Sequence, residues 1–162
     1  APSRGLGDVY KRQDYSLYQN GLFRTYAYPP QFNSANLSIR SFVNRGPEKV
    51  IGSRDGLFYI NEATGIVKSF VKPVLTSDLI LTICFYEGEY YIGTYGGGMM
   101  VLNPQTLSLK YFTQGDTELF QKGHIFCVKP DNRGNLWIGT SQGLFCYNGQ
   151  TKQIKNLSLI HI

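Results

Sequence analysis

Apolar and polar residues alternate in short runs along most of this chain, and glycine or asparagine interrupts the runs every few positions. A strand points successive side chains to opposite faces, so short alternating runs between turn residues predict β-strands joined by tight turns. An amphipathic helix would space its apolar residues to form one stripe. No segment does so convincingly.

The runs repeat. Val50-Ile51-Gly52-Ser53, Tyr91-Ile92-Gly93-Thr94 and Trp137-Ile138-Gly139-Thr140 share one pattern. Each is followed by a short glycine-containing gap, a mostly apolar run, and then Asn61, Asn103 or Asn148. The spacing from Gly52 to Gly93 is 41 residues, and from Gly93 to Gly139 it is 46. A repeat of about 40–50 residues without helical periodicity fits a four-stranded β-propeller blade.

Each unit extends both ways from this anchor. Strand a is expected at 39–43, 80–85 and 125–129, and strand d at 66–71, 109–113 and 154–157. The order is strand a, turn, strand b, glycine loop, strand c, turn, strand d. Asp131-Asn132-Arg133-Gly134-Asn135 is the clearest a–b turn, because Asn and Gly tolerate the backbone angles a tight hairpin needs.

The predicted fold is therefore all-β: a β-propeller fragment of about three and a half four-stranded antiparallel blades. Residues 15–26 read as strands c and d of a preceding blade, 36–72 as blade one, 79–113 as blade two and 124–157 as blade three. Residues 1–14 and 158–162 fit no blade and read as a non-native leader and tail.

The repeated glycines carry a structural expectation. Gly52, Gly93 and Gly139 lie inside strand b, where a missing side chain admits a neighbouring strand or blade. Gly56, Gly98 and Gly143 should end the b–c loop at positive φ. Val50, Tyr91 and Trp137 hold one equivalent position and are expected to pack between blades.

Composition sharpens this picture. Tyr (12), Phe (10) and Gly (18) are abundant among 162 residues, as strands and turns require. The formal net charge is +5. Setting aside Arg4, Lys11, Arg12 and Asp8 leaves 13 basic and 10 acidic residues, or +3, and these are scattered. No basic cluster interleaved with aromatics marks a nucleic-acid track, and no apolar run is long enough to span a membrane. Cys84, Cys127 and Cys146 form no CxxC pair, and all three are expected as small core residues.

The sequence offers little chemistry. Of two histidines, His161 lies in the tail and His124 opens strand a of blade three. Without clustered partners neither has the ligand set a metal site needs, so no metal or cofactor is expected. Gly96-Gly97-Gly98 lacks the Lys-Ser/Thr and helix of a phosphate loop. No nucleophile motif is present, so no catalytic residue is assigned.

The stretch Asn135-Leu136-Trp137-Ile138-Gly139-Thr140, with Gly143-Leu144, resembles the two-component regulator propeller repeat. Asn36-Leu37-Ser38-Ile39-Arg40-Ser41-Phe42 resembles that family's entry into strand a. The resemblance implies a periplasmic sensor propeller of a hybrid two-component histidine kinase, responding to glycans or their breakdown products. Its partners would be the remaining blades and the kinase domains of the parent chain. A protein-interaction propeller in secretion or surface assembly is the alternative.

Propeller topology puts the b–c loops and d–a connections on one face, and the a–b and c–d turns on the other. The first face holds the longer connections, 28–38, 72–78 and 114–124, and loops that vary on a rigid scaffold are where binding concentrates. The candidate ligand-binding residues there are Arg54, Asp55, Tyr95, Ser141 and Gln142, with His124 beside them. Arg54 would pair with a carboxylate or sulfate, and Tyr95 would stack on a sugar ring.

Overall fold

The computed structural model describes residues 14–19, 22–27 and 38–159. The chain divides into two units, Ala1–Ser38 and Ile39–Ile162. In the first, β1 (Asp14–Gln19) pairs antiparallel with β2 (Leu22–Ala27). This hairpin occupies the segment read as strands c and d; the Asn20-Gly21 turn and most of the 28–38 connection lie outside the described residues. Of the leader only Asp14, and of the tail only Ser158 and Leu159, are described.

The second unit contains three four-stranded antiparallel sheets, each in chain order. Blade one is β3 (Ile39–Arg45), β4 (Glu48–Ser53), β5 (Gly56–Asn61) and β6 (Ile66–Phe70). Blade two is β7 (Ile80–Tyr86), β8 (Glu89–Thr94), β9 (Met99–Leu102) and β10 (Leu109–Tyr111). Blade three is β11 (Ile125–Pro130), β12 (Asn135–Thr140), β13 (Gly143–Asn148) and β14 (Gln153–Asn156). The chain is an all-β propeller fragment.

The shared sequence pattern is local turn chemistry. In every b–c loop a strand-ending hydroxyl accepts a backbone N–H and donates to the carbonyl that opens strand c. Ser53 Oγ does so between Asp55 N and Gly56 O, Thr94 Oγ1 between Gly97 N and Gly98 O, and Thr140 Oγ1 between Gln142 N and Gly143 O. Gly56, Gly98 and Gly143 take φ of 135°, 69° and 118° there. In the c–d turn of each of blades one, two and three the shared asparagine accepts two backbone N–H groups through Oδ1. Asn61 takes those of Ala63 and Thr64, Asn103 those of Gln105 and Thr106, and Asn148 those of Gln150 and Thr151.

Cross-strand rows build the blade faces. One row runs Val43–Val50–Tyr59–Lys68, the next Cys84–Tyr91–Val101–Lys110, the third Lys129–Trp137–Cys146–Lys155. The first row faces blade two and closes one apolar cluster with Ile83, Ile92 and Leu102. The second faces blade three and closes another with Val128, Ile138 and Phe145.

The third row faces outward, and this corrects two expectations. Trp137 is only half-buried, whereas Val50 and Tyr91 pack between blades as expected. Cys84 is buried, and burial pushes its thiol up to about 12, but Cys127 is exposed and Cys146 half-buried. Trp137, Cys127 and Cys146 lie on a face that no other blade among the described residues covers.

Among the described residues one α-helix forms, α1 (Thr117–Lys122), within a connection that the sequence pattern left irregular. Asp116 caps it by accepting from Leu119 N at 2.9 Å, and Gly123 N donates back to Leu119 O at 2.8 Å. Leu119 and Phe120 bury their side chains in the joint between blades two and three. Six residues are too few to display a helical stripe.

Candidate functional site

Backbone bonds tie the b–c loops to the d–a connections along one face. Tyr95 N donates to Leu79 O at 3.0 Å, and Ser141 N to His124 O at 3.1 Å. Thr76 Oγ1 donates to Gly97 O at 2.6 Å and Ser77 Oγ to Tyr95 O at 2.8 Å. Gly98 N donates to Gly123 O at 2.9 Å, which seats α1 over the glycine loop of blade two. The expected sharing of one face therefore holds for blades two and three.

An aromatic stack stands on that face. The ring of Tyr95 lies 3.9 Å from that of His124 at an interplanar angle of 21°. Phe126 also stacks with His124, at 6.1 Å and 30°. Tyr95 and Phe126 are each about half exposed, at 50% and 48%. His124 Nδ1 is buried without a hydrogen-bond partner. Ser141 and Gln142, both exposed, follow on the loop that His124 O anchors.

The structure thus brings together four of the six candidates: Tyr95, His124, Ser141 and Gln142. Arg54, exposed, and Asp55, half-buried, occupy the corresponding loop of blade one. Sequence reasoning missed Phe126. It reads as an ordinary strand residue, but the register shift between Ile125 and Cys127 in the β11–β12 pairing turns its side chain to the surface.

Two hollows lie elsewhere. One, of about 260 Å³, is lined by Glu89, Tyr91, Lys110, Tyr111 and Lys152 between the outer strand of blade two and the c–d turn of blade three. The other, of about 320 Å³, lies on the outward side of blade three, by Asn135, Cys146 and Lys155. Among the described residues no group of three His, Cys, Asp or Glu side chains is placed to hold a metal.

A family comparison bears on the segment beside this stack. Residues 120–142 match the family described as "Two component regulator propeller". They carry a two component regulator propeller repeat. The matched stretch runs from the end of α1 through His124 and Phe126 to Gln142, so it contains two of the three stacked rings and the loop next to them.

Solved structures agree in fold. The extracellular domain of the hybrid two component system BT4673 from B. thetaiotaomicron superimposes with a TM-score of 0.68 at 19% identity, covering 90% of this chain and 22% of that one. That of BT3049 from the same organism gives 0.58 at 30% identity, covering 83% and 19%. PorZ, a surface component of the type-IX secretion system of Porphyromonas gingivalis, gives 0.56 at 13% identity, covering 82% and 18%. The chain spans about a fifth of the length of each of these proteins. No curated protein matches the chain in sequence. No helix among the described residues is long and apolar enough to cross a membrane.

Proposed function

We propose that this chain is part of the ligand-sensing propeller of a hybrid two-component receptor, facing the periplasm. Its ligand would be a glycan or a glycan breakdown product, bound on the b–c face. The observation that carries this is the half-exposed Tyr95–His124–Phe126 stack beside the polar loop Ser141-Gln142. A flat aromatic surface holds the apolar face of a sugar ring, and neighbouring hydroxyl and amide groups satisfy the ring's hydroxyls. Arg54, one blade away, would meet a carboxylate or sulfate on a longer ligand.

Saturation-transfer NMR with a panel of neutral and acidic oligosaccharides tests the reading. A binding oligosaccharide should lose its signal when Tyr95 is replaced by alanine and keep it when the Asp131–Asn135 turn is altered. Loss only on altering Lys110 or Tyr111 in the opposite hollow would place the ligand on the wrong face. Absence of binding by every member of the panel would favour an interaction propeller instead.

A further inference from the structure

Three tyrosines meet in the joint between blades two and three. The rings of Tyr91 and Tyr147 pack edge-on against Phe112, at 6.2 and 5.0 Å, and against Tyr86, at 5.4 and 6.3 Å. Both are almost wholly buried, at 5% and 2% exposure. The Tyr86 hydroxyl is satisfied: it donates to Gly134 O at 2.6 Å and accepts from Gly149 N at 2.7 Å. The hydroxyls of Tyr91 and Tyr147 have no hydrogen-bond partner among the described residues. A buried polar group without a partner costs stability, so each such group calls for a reason.

Both residues line the hollow of about 260 Å³ at this joint. Lys110 from blade two and Lys152 from blade three line it too, both exposed, together with the half-buried Glu89. None of these three charged groups forms an ion pair among the described residues. Lys152 takes φ of 60° at the turn position where blade one has Gly65. An exposed lysine gains no packing in return for that strain, and strained residues cluster where ligands bind. Burial, with smaller pushes from Tyr147 and Glu89, raises the Tyr91 phenol above its ordinary range. It therefore stays protonated and offers an O–H.

We propose that this hollow binds a small carboxylic acid that also carries an amine or hydroxyl donor. The carboxylate accepts from the Tyr91 and Tyr147 hydroxyls and meets the ammonium groups of Lys110 and Lys152. Glu89 accepts from the ligand's own N–H or O–H group. The packed rings of Phe112 and Tyr86 fix both hydroxyls before the ligand arrives, which lowers the ordering cost of binding. The site lies apart from the Tyr95–His124–Phe126 stack and does not rest on the glycan reading.

Calorimetry with aspartate, malate, succinate and inorganic sulfate tests this on the chain as it stands. Aspartate, malate or both should bind saturably, which also tells an amino acid from a hydroxy acid. Succinate, which lacks the donor, and sulfate should bind roughly fivefold more weakly or not at all. Tyr91→Phe, Tyr147→Phe and Lys110→Gln should each weaken binding roughly tenfold, and Tyr95→Ala should leave it unchanged. Without ligand, the two phenylalanine variants should melt within about a degree of the parent, because no hydrogen bond inside the protein is lost. Absence of binding by both aspartate and malate overturns the proposal, as does succinate or sulfate binding as tightly as they do. A phenylalanine variant that melts several degrees lower also overturns it, because its hydroxyl would then hold the fold. Binding lost in Tyr95→Ala but kept in the three hollow variants would move the acid to the b–c face, overturning this site and leaving the glycan reading intact.

Discussion

Gly93 lies directly beneath Ile125, the residue that opens the next blade. A Cβ at Gly93 would stand 2.7 Å from Ile125 Cγ2 and 2.6 Å from Thr82 Cγ2. Both neighbours are β-branched and stiff at χ1, and Ile125 is fully buried. Gly93→Ala is therefore expected to destabilise the chain by about 2–3 kcal/mol through overpacking. Gly139→Ala, with open space above it, should stay within about 0.5 kcal/mol of the parent. Urea denaturation of both variants checks the contrast, and similar losses at the two sites would contradict it.

A second prediction comes from the c–d turns. Their last position has positive φ in all three blades: Gly65 at 73°, Leu107 at 59° and Lys152 at 60°. Glycine takes that region without penalty, whereas a residue with a Cβ is strained there by about 1–2 kcal/mol. Lys152 is exposed, so little packing is lost on replacing it. After the extra entropy glycine gives the unfolded chain, Lys152→Gly should stabilise by about 0.5–1 kcal/mol. A melting temperature that falls instead would show that the lysine is held by more than its backbone.

The turns and the blade spacing were legible in the sequence because their chemistry is local. Ser53, Thr94 and Thr140 bond within their own loops, and Asn61, Asn103 and Asn148 within theirs. What the sequence hid depends on residues brought together from different blades. The Tyr95–His124 stack joins a loop of blade two to the first residue before strand a of blade three. Phe126 reaches the surface only through the irregular register opposite Thr140 and Gly139. The outward exposure of Cys127 and Trp137 depends on what packs against blade three, which the repeat pattern of a single blade does not carry. Helix α1 announced itself only through its ends, Asp116 and Gly123.

A third prediction concerns acid. Trp137 Nε1 donates to Asp131 Oδ2 at 2.8 Å, and the N–H groups of Asn135 and Arg133 donate to Oδ1 at 2.9 and 2.8 Å. These bonds, that from Trp137 foremost, favour the carboxylate and lower its pKa to about 2. A folded pKa below the unfolded value near 3.8 means that the stabilisation is complete above that value and is lost as pH falls through about 2. The Trp137 indole N–H resonance should therefore hold its position down to about pH 3 and move only below it. A midpoint near 4 would indicate that the indole bond does not persist in solution.

The last prediction separates the cysteines by position. Only the thiolate attacks an alkylating reagent. Burial pushes the Cys84 thiol up to about 12, with a smaller push from Cys127. At pH 8 Cys84 is thus protonated and also shielded between blades two and three. Cys127 is exposed on the outward face, and Cys146 is half-buried in the row that Trp137 shares. Iodoacetamide should modify Cys127 first and Cys146 more slowly. Cys84 should stay unmodified until the blades separate in denaturant, so its labelling should track the unfolding transition. Labelling of Cys84 in buffer, at a rate close to that of Cys127, would mean that the joint between the two blades opens without global unfolding.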